Sequence, residues 1–291
     1  MTLRETVMAA EAKLLQSPHP TCARLDAETL LLHALNQNRA WLLAHWDDET
    51  EVTAACAYDE LVTRRGTGEP MQYITGASEF FGLPFSVGPG VLIPRPETEH
   101  LVEEVIRLAA QFETAELRIA DIGTGSGIIA VAVAHALPEA RVTAIDSSAQ
   151  ALAIARENAQ QNDLEDRIEF FEGDLLAPLA GQTFHIVASN PPYIPASERD
   201  SLAIEVREHE PHAALFAGED GLDIYRRLIP DARDLLVPGG WLVMEIGYGQ
   251  QDAIEQLLQD NHYGNIHFVA DYQSIPRVAV GRRRRSSIEL G

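Results

Sequence analysis

Residues 117–127 read Leu-Arg-Ile-Ala-Asp-Ile-Gly-Thr-Gly-Ser-Gly, an apolar run that breaks into alternating glycines. The run has the length of a buried strand, and the apolar stretch from Ile128 is set to continue as a helix. Between them, Gly123, Gly125 and Gly127, with Thr124 and Ser126 interleaved, let the backbone approach a ligand closely. The free N–H groups of the helix start point the same way. This is not the dinucleotide fingerprint, because Ile128 stands where its third glycine would be.

Working outward, the pattern repeats. The strand-like run Val142–Ile145 ends at Asp146, about twenty residues on, where a carboxylate can grip a ribose diol. Ile168–Phe171 ends at Gly173-Asp174-Leu175, and Phe184–Ala188 ends just before Asn190-Pro191-Pro192-Tyr193. Strands alternating with helical stretches argue for a doubly wound parallel sheet. Any one acidic strand end can be structural, but four successive strand ends carrying ligand-type residues are harder to explain that way. The two prolines cannot continue a central strand, so that strand must stop and turn its end outward. Asn190 then offers a side-chain carbonyl, Pro191 a main-chain carbonyl for which Pro192 has no N–H, and Tyr193 a flat face. The three together suit a planar amino group.

In this order, Asp121-x-Gly-x-Gly-x-Gly, Asp146, Asp174 and Asn-Pro-Pro-Tyr resemble the Rossmann-like class I S-adenosylmethionine methyltransferases. The resemblance implies an α/β fold with a seven-stranded, mostly parallel sheet. It also implies a cofactor site for S-adenosyl-L-methionine, with S-adenosyl-L-homocysteine as product: Gly123 to Gly127 along the methionine part, Asp146 on the ribose, Asp174 and Leu175 at the adenine, and Asn190 also among the cofactor-binding residues. Asn-Pro-Pro-Tyr serves both adenine-N6 and glutamine-N5 enzymes, since both substrates present a planar NH₂.

The flanking sequence is more specific. Glu69-Pro70-x-Gln72-Tyr73-Ile74-x-Gly76, Glu79-Phe80-x-Gly82 and Val91-Leu92-Ile93-Pro94-Arg95-Pro96-Glu97-Thr98-Glu99 are similar to the protein-(glutamine-N5) methyltransferases of the PrmC/HemK family. So are Glu210-Pro211-x-x-Ala214-Leu215, Gly218-x-x-Gly221-Leu222 and Glu245-Ile246-Gly247-x-x-Gln250. This resemblance implies a small helical N-terminal domain over 1–72 for partner recognition, a β-hairpin linker over 73–95 and a methyltransferase domain over 96–291. It implies as substrate the Gly-Gly-Gln glutamine of peptide chain release factors, as role the support of translation termination, and as state a monomer. Asn190, Pro191 and Tyr193 are the expected catalytic residues: Asn190 and Pro191 hold the two amide hydrogens, and Tyr193 packs on the amide plane, with Pro192 completing the substrate turn. Glu97 and Thr98 are expected to border the substrate channel.

The helical reading of the N-terminal part rests on Leu25, Leu30, Leu31, Ala34 and Leu35 after a cap at Asp26, then Val52, Ala55, Tyr58, Leu61 and Val62 on one face up to Gly66. The hairpin is expected to turn at Gly88-Pro89-Gly90, and a helix after Pro96 to bury Leu101, Val102, Val105 and Ile106. A formal net charge of −22 speaks against a phosphate-tracking surface, so no direct nucleic-acid contact is expected. Cys22 and Cys56 lack paired or zinc spacing, and neither a membrane-length apolar run nor a secretion signal is evident, which sets the expectation of a reducing cytoplasm. No metal is expected either: Pro211 breaks the helical spacing of His209, Glu210 and His212. His185 reads as a satisfied, packed histidine, and Arg118 and Arg141 as surface charges. The four arginines Arg282 to Arg285 read as part of a solvated tail. Two rivals stay open: an adenine-N6 nucleic-acid methyltransferase, and a cofactor-binding but inactive scaffold.

Overall fold

The computed structural model describes residues 1–19, 22–114 and 116–285. Its contacts divide the chain into two compact units, Met1–Ala77 with Leu202–His209, and Ser78–Ser201 with Glu210 onward.

The first unit holds α1 (Leu3–Leu14), α2 (Ala23–Leu35), α3 (Arg39–Ala44), α4 (Val52–Gly66) and α5 (Met71–Thr75). A reciprocal capping box between Thr2 and Glu5 starts α1. Val7, Leu14, Leu30, Leu31, Tyr58 and Val62 form its core, so the two expected helices stand where their periodicity put them. Three details differ. Leu25 and Val52 are exposed. Cys22, not Asp26, precedes α2. The Asp26 carboxylate is instead buried against Arg65, whose guanidinium also reaches Glu205 at 2.6 Å. A buried guanidinium needs its charge answered on more than one side, and Asp26 and Glu205 do so.

The second unit opens with a two-stranded sheet, β1 (Ala77–Phe80) and β2 (Leu83–Ser86). The hairpin turns at Phe81 and Gly82, both at positive φ, rather than at Gly88–Gly90. Two consecutive positive-φ residues give the two-residue turn that matches strand twist, and this decides the turn against the later glycines. Residues 91–93 therefore form no strand. A 3₁₀ turn over Pro96–Thr98 leads into α6 (Glu99–Ala109), which buries Leu101, Val102, Val105 and Leu108, whereas Ile106 is half-buried.

Short 3₁₀ and π turns aside, the remaining elements are β3 (Leu117–Ile122), α7 (Ile128–Ala136), β4 (Ala140–Asp146), α8 (Ala149–Gln161), β5 (Ile168–Glu172), β6 (Phe184–Ser189), α9 (Asp223–Leu235), β7 (Leu236–Glu245), α10 (Gln251–Asp260), β8 (Tyr263–Ala270) and β9 (Pro276–Arg283). They make a seven-stranded sheet in the order β5-β4-β3-β6-β7-β9-β8. Every neighbouring pair from β5 to β7 is parallel, and β9 is antiparallel to both β7 and β8. This is the mostly parallel, doubly wound sheet expected. Alternate residues feed two cores: Ile119, Ile186 and Val243 face α6 and α7, while Ala120, Val187 and Leu242 face α9 and α10. From β3 the chain winds one way to β5, then returns to β6 on the other side of β3. That reversal opens a crevice at the carboxyl ends of β3 and β6.

The four-arginine tail is not wholly solvated. The antiparallel pairing of β9 with β7 carries on to Arg282, whose guanidinium lies over the Trp241 ring and donates to the Gly239 carbonyl. Arg283 donates to the Leu236 carbonyl. The rest of the tail reading, over 286–291, lies outside the described residues.

Asn158 of α8 ties the hairpin to the glycine loop. Wholly buried, it accepts from the Ser86 N–H at 2.6 Å and donates to the Ser86 and Ser126 carbonyls at 2.9 and 2.8 Å. Asn158→Ala strands three backbone polar groups and is expected to cost about 3 kcal/mol in urea unfolding, at ~1–3 kcal/mol per orphaned group. A loss under about 1 kcal/mol would show that the tie is dispensable.

Candidate active site

The crevice is a cavity of about 370 Å³ lined by Gly123 to Ser126, Asp146, Asp174, Leu175 and Asn190 to Pro192, with further walls from Thr98, Gln150 and Ala214. Residues far apart in sequence thus meet because four strands end on one edge. A side chain added at Gly123 or Gly125 would meet no atom within 4 Å, so these glycines leave open space where they face the cavity. All three glycines are at positive φ, but Gly127 also lies against Ala155 of α8, so it is needed for close packing.

Asp146 is held by two backbone donors, Gly125 N–H to Oδ2 and Ser148 N–H to Oδ1, each at 2.9 Å. Its carboxylate is thereby fixed with lone pairs left for a hydroxyl pair. Asp174 is paired with Arg227 and exposed, and Leu175 beside it takes the left-handed region at φ +51.

Behind the glycine loop, Asp121 is buried, accepting from the Thr124 hydroxyl and the Ala130 N–H on Oδ2. Its Oδ1 has no hydrogen-bond partner among the described residues. Burial pushes its carboxyl up to about 7, against the pull of the two hydrogen bonds, and Asp146 adds to the rise.

The Asn-Pro-Pro-Tyr turn is anchored from below. Ser189 at the end of β6 donates to the Ile122 carbonyl at 2.7 Å, joining the strand ends that flank the crevice. The Asn190 side-chain N–H donates to Thr98 Oγ1 at 3.1 Å, and Thr98 donates in turn to Glu245 Oε2 at 2.6 Å. Thr98 and Glu245 are both buried. Burial raises the Glu245 carboxyl to about 7; hydrogen bonds from Thr98 and Tyr193 and the charge of Arg277 oppose this, while Glu97 adds to it. Gln250 donates to the Tyr193 and Gly221 carbonyls and accepts from the Gly247 N–H, which locks the far end of the turn. Gly221 has to be glycine here: with φ +76, a Cβ would sit 2.2 Å from the Tyr193 carbonyl oxygen.

Tyr193, expected to pack on the amide plane, is held from within the fold. It is not among the cavity-lining residues; its ring packs on the core beneath α9, and its hydroxyl reaches Glu245 Oε1 at 3.3 Å. Burial, then Glu245, raise its phenol well above the usual range. A hydroxyl that finds a buried carboxylate draws the ring inward, so Tyr193 braces the turn. Glu245 and Gln250 were visible only as parts of a resemblance, because their work is through space across about fifty residues. Glu210, one of the residues weighed as a metal ligand, has its carboxylate engaged by Arg95 and the Ile93 N–H. His185 accepts from the Arg118 N–H, as a packed, satisfied histidine should. Arg118 is not simply a surface charge, since it lies over Phe184 and donates to Gln182.

Residues 7–76 match the PrmC N-terminal domain, and residues 104–208 the methyltransferase small domain. A release factor glutamine methyltransferase of Koribacter versatilis is 44% identical, over 98% of this chain and all of its own length. That of Vibrio cholerae is 41% identical over 97% of each chain. Among solved structures, the hMettl16 catalytic domain in complex with an MAT2A 3′UTR hairpin aligns with a TM-score of 0.58, at 17% identity over 78% of this chain and 83% of its own. A Pyrococcus furiosus methyltransferase aligns at 0.51 and 17% identity, over 70% of this chain and 91% of its own. Both show the fold alone.

The buried Asp121 sets a pH dependence on stability. In the native state its carboxyl keeps its proton up to about pH 7, whereas in the unfolded chain it releases it near ~4. Between those values the native state binds more protons, so this group's contribution to stability falls as pH rises. Asp121→Asn should therefore gain on the wild type between pH 5 and 8, by at least about 2 °C in Tm, the shift that ~1 kcal/mol produces in a domain of this size. A pH-independent Tm difference in thermal melts would contradict this.

Proposed function

Because this chain belongs to the release factor glutamine methyltransferase family, we propose that it methylates the side-chain amide nitrogen, N5, of the Gly-Gly-Gln glutamine in peptide chain release factors. The donor on this reading is S-adenosyl-L-methionine, which when bound supplies a methyl group on an electrophilic sulfonium and leaves as S-adenosyl-L-homocysteine. The cavity fits such a molecule: its glycines leave open space, and Asp146 presents oriented acceptor lone pairs. The backbone of Gly123 to Gly127 would hold the methionine part, Asp146 the ribose hydroxyls, and Leu175 with Asp174 the adenine edge.

The observation that carries the reading is the setting of Asn190. Its N–H faces inward to Thr98, which leaves Oδ1 as an acceptor at a cavity wall that Pro191 shares. A carboxamide nitrogen is a poor nucleophile, since its lone pair is delocalised into the carbonyl. Asn190 Oδ1 and the Pro191 carbonyl each take one amide hydrogen of the glutamine, which aims the nitrogen and stabilises the positive charge that develops on it. The N–H proton then leaves to solvent after the new N–C bond has formed, so no strong base is required. The helical unit recognises the release factor on this reading, and the enzyme works as a cytoplasmic monomer in support of translation termination. A net charge of −22 speaks against a nucleic-acid substrate.

Incubating a purified release factor with this protein and S-adenosyl-L-methionine should add one methyl, found by peptide mass spectrometry on the Gly-Gly-Gln glutamine. Asn190→Ala should lower kcat by about a hundredfold, the effect of ~3 kcal/mol of lost transition-state stabilisation. Wild-type kcat in that variant would remove Asn190 from the reaction.

A further inference from the structure

We propose that Glu245 is a positioning residue: acting through Thr98, it decides which end of the Asn190 amide faces the substrate. The argument rests on counting hydrogens. Thr98 has a single hydroxyl proton and two close partners, Glu245 Oε2 at 2.6 Å and Asn190 Nδ2 at 3.1 Å. A carboxylate only accepts, so the threonine proton must go to Glu245. The oxygen that remains can only accept, and the group it receives from Asn190 is therefore the NH₂. The amide is planar with its two ends opposed, so the carbonyl Oδ1 is turned away from Thr98. A proton on Glu245 removes that constraint. Glu245 can then donate to Thr98, Thr98 can donate to Asn190 Oδ1, and the amide turns round, presenting N–H to a substrate N–H.

The surroundings suit a carboxylate held for this purpose. Tyr193 donates to its second oxygen from the Asn-Pro-Pro-Tyr turn, and Tyr225 of α9 fixes the Glu245 main-chain carbonyl at 2.7 Å. The charged groups that act on it are Arg277 of β9, which favours the ionised form, and Glu97 of the 3₁₀ turn, which opposes it. A buried carboxylate costs stability, and a packing role in this place would be met by an apolar side chain at no such cost.

The inference rests on the reading that Asn190 Oδ1 receives the glutamine amide, so the experiment measures both. Release-factor methylation is followed from pH 6 to 9 for the wild type, Asn190→Ala, Thr98→Ser, Thr98→Ala and Glu245→Gln, with S-adenosyl-L-methionine binding measured by calorimetry. Serine and alanine both remove the threonine methyl, so packing drops out of that comparison. Thr98→Ser should stay within about threefold of wild-type kcat, and Thr98→Ala should lose at least about tenfold with cofactor binding unchanged. The wild type should lose kcat as pH falls through about 7, the region in which Glu245 takes up its proton. In Glu245→Gln, which has no proton to take up there, this acid limb should disappear. Equal kcat in Thr98→Ser and Thr98→Ala, or an acid limb that survives in Glu245→Gln, would overturn the inference. If Asn190→Ala keeps wild-type kcat, the underlying reading falls; if it loses kcat while Thr98→Ala does not, only the relay falls.

Discussion

A strand that cannot go on is the constraint from which the rest of this molecule follows. Pro191 and Pro192 have no N–H to give to a ladder, so β6 stops at Ser189 while its neighbours still need their edges satisfied. The residues that follow are forced off the sheet edge beside β3, at the point where the winding reverses. A glycine loop on one strand end and a stiff polar turn on the next then face each other across a crevice. The serine that joins β6 to β3 and the glutamine that grips the Tyr193 carbonyl keep that one turn from relaxing.

The site is held at a cost. Two carboxyls, Asp121 and Glu245, are buried beneath it and lifted by desolvation to about 7, where a folded protein of this size could have used apolar residues. They sit on β3 and β7, the two strands on either side of β6. Each accepts a threonine hydroxyl, and each of those threonines lines the cavity. The site therefore gets its rigidity from buried hydrogen bonds below the surface, not from the exposed groups themselves.

This division also explains what could be read from the sequence. Four strands of the sheet, β3 to β6, were legible because they are apolar runs that end in residues unfit to continue them, and those endings are local; β7 to β9 came only with the resemblance. The cavity-lining residues were legible for the same reason, since Gly123 to Ser126, Asp146 and Asp174 each terminate or follow a strand. Thr98 was visible as a border of the channel and Glu245 as part of a motif, but their joint action spans residues 98 to 245, and no periodicity encodes it. The bracing of Tyr193 was not legible, because the buried carboxylate that receives its hydroxyl lies fifty-two positions downstream. The hairpin turn was misplaced since Gly88-Pro89-Gly90 is the louder signal, although Phe81 and Gly82 have the backbone that a tight turn needs.

The grouping of Leu202–His209 with the N-terminal helices bears on the order in which the protein can be made. Arg65 is buried between Asp26, thirty-nine residues earlier, and Glu205, which the ribosome adds one hundred and forty residues later. A nascent chain that has emerged only as far as α5 has its helices but lacks one of the two carboxylates that answer this guanidinium. The contacts of the N-terminal unit are thus not complete until residues 202–209 have been made. The unit is completed by a segment, Leu202–His209, that the chain supplies from within the sequence of the second unit, and Glu205–His209 of it form a π-helical turn.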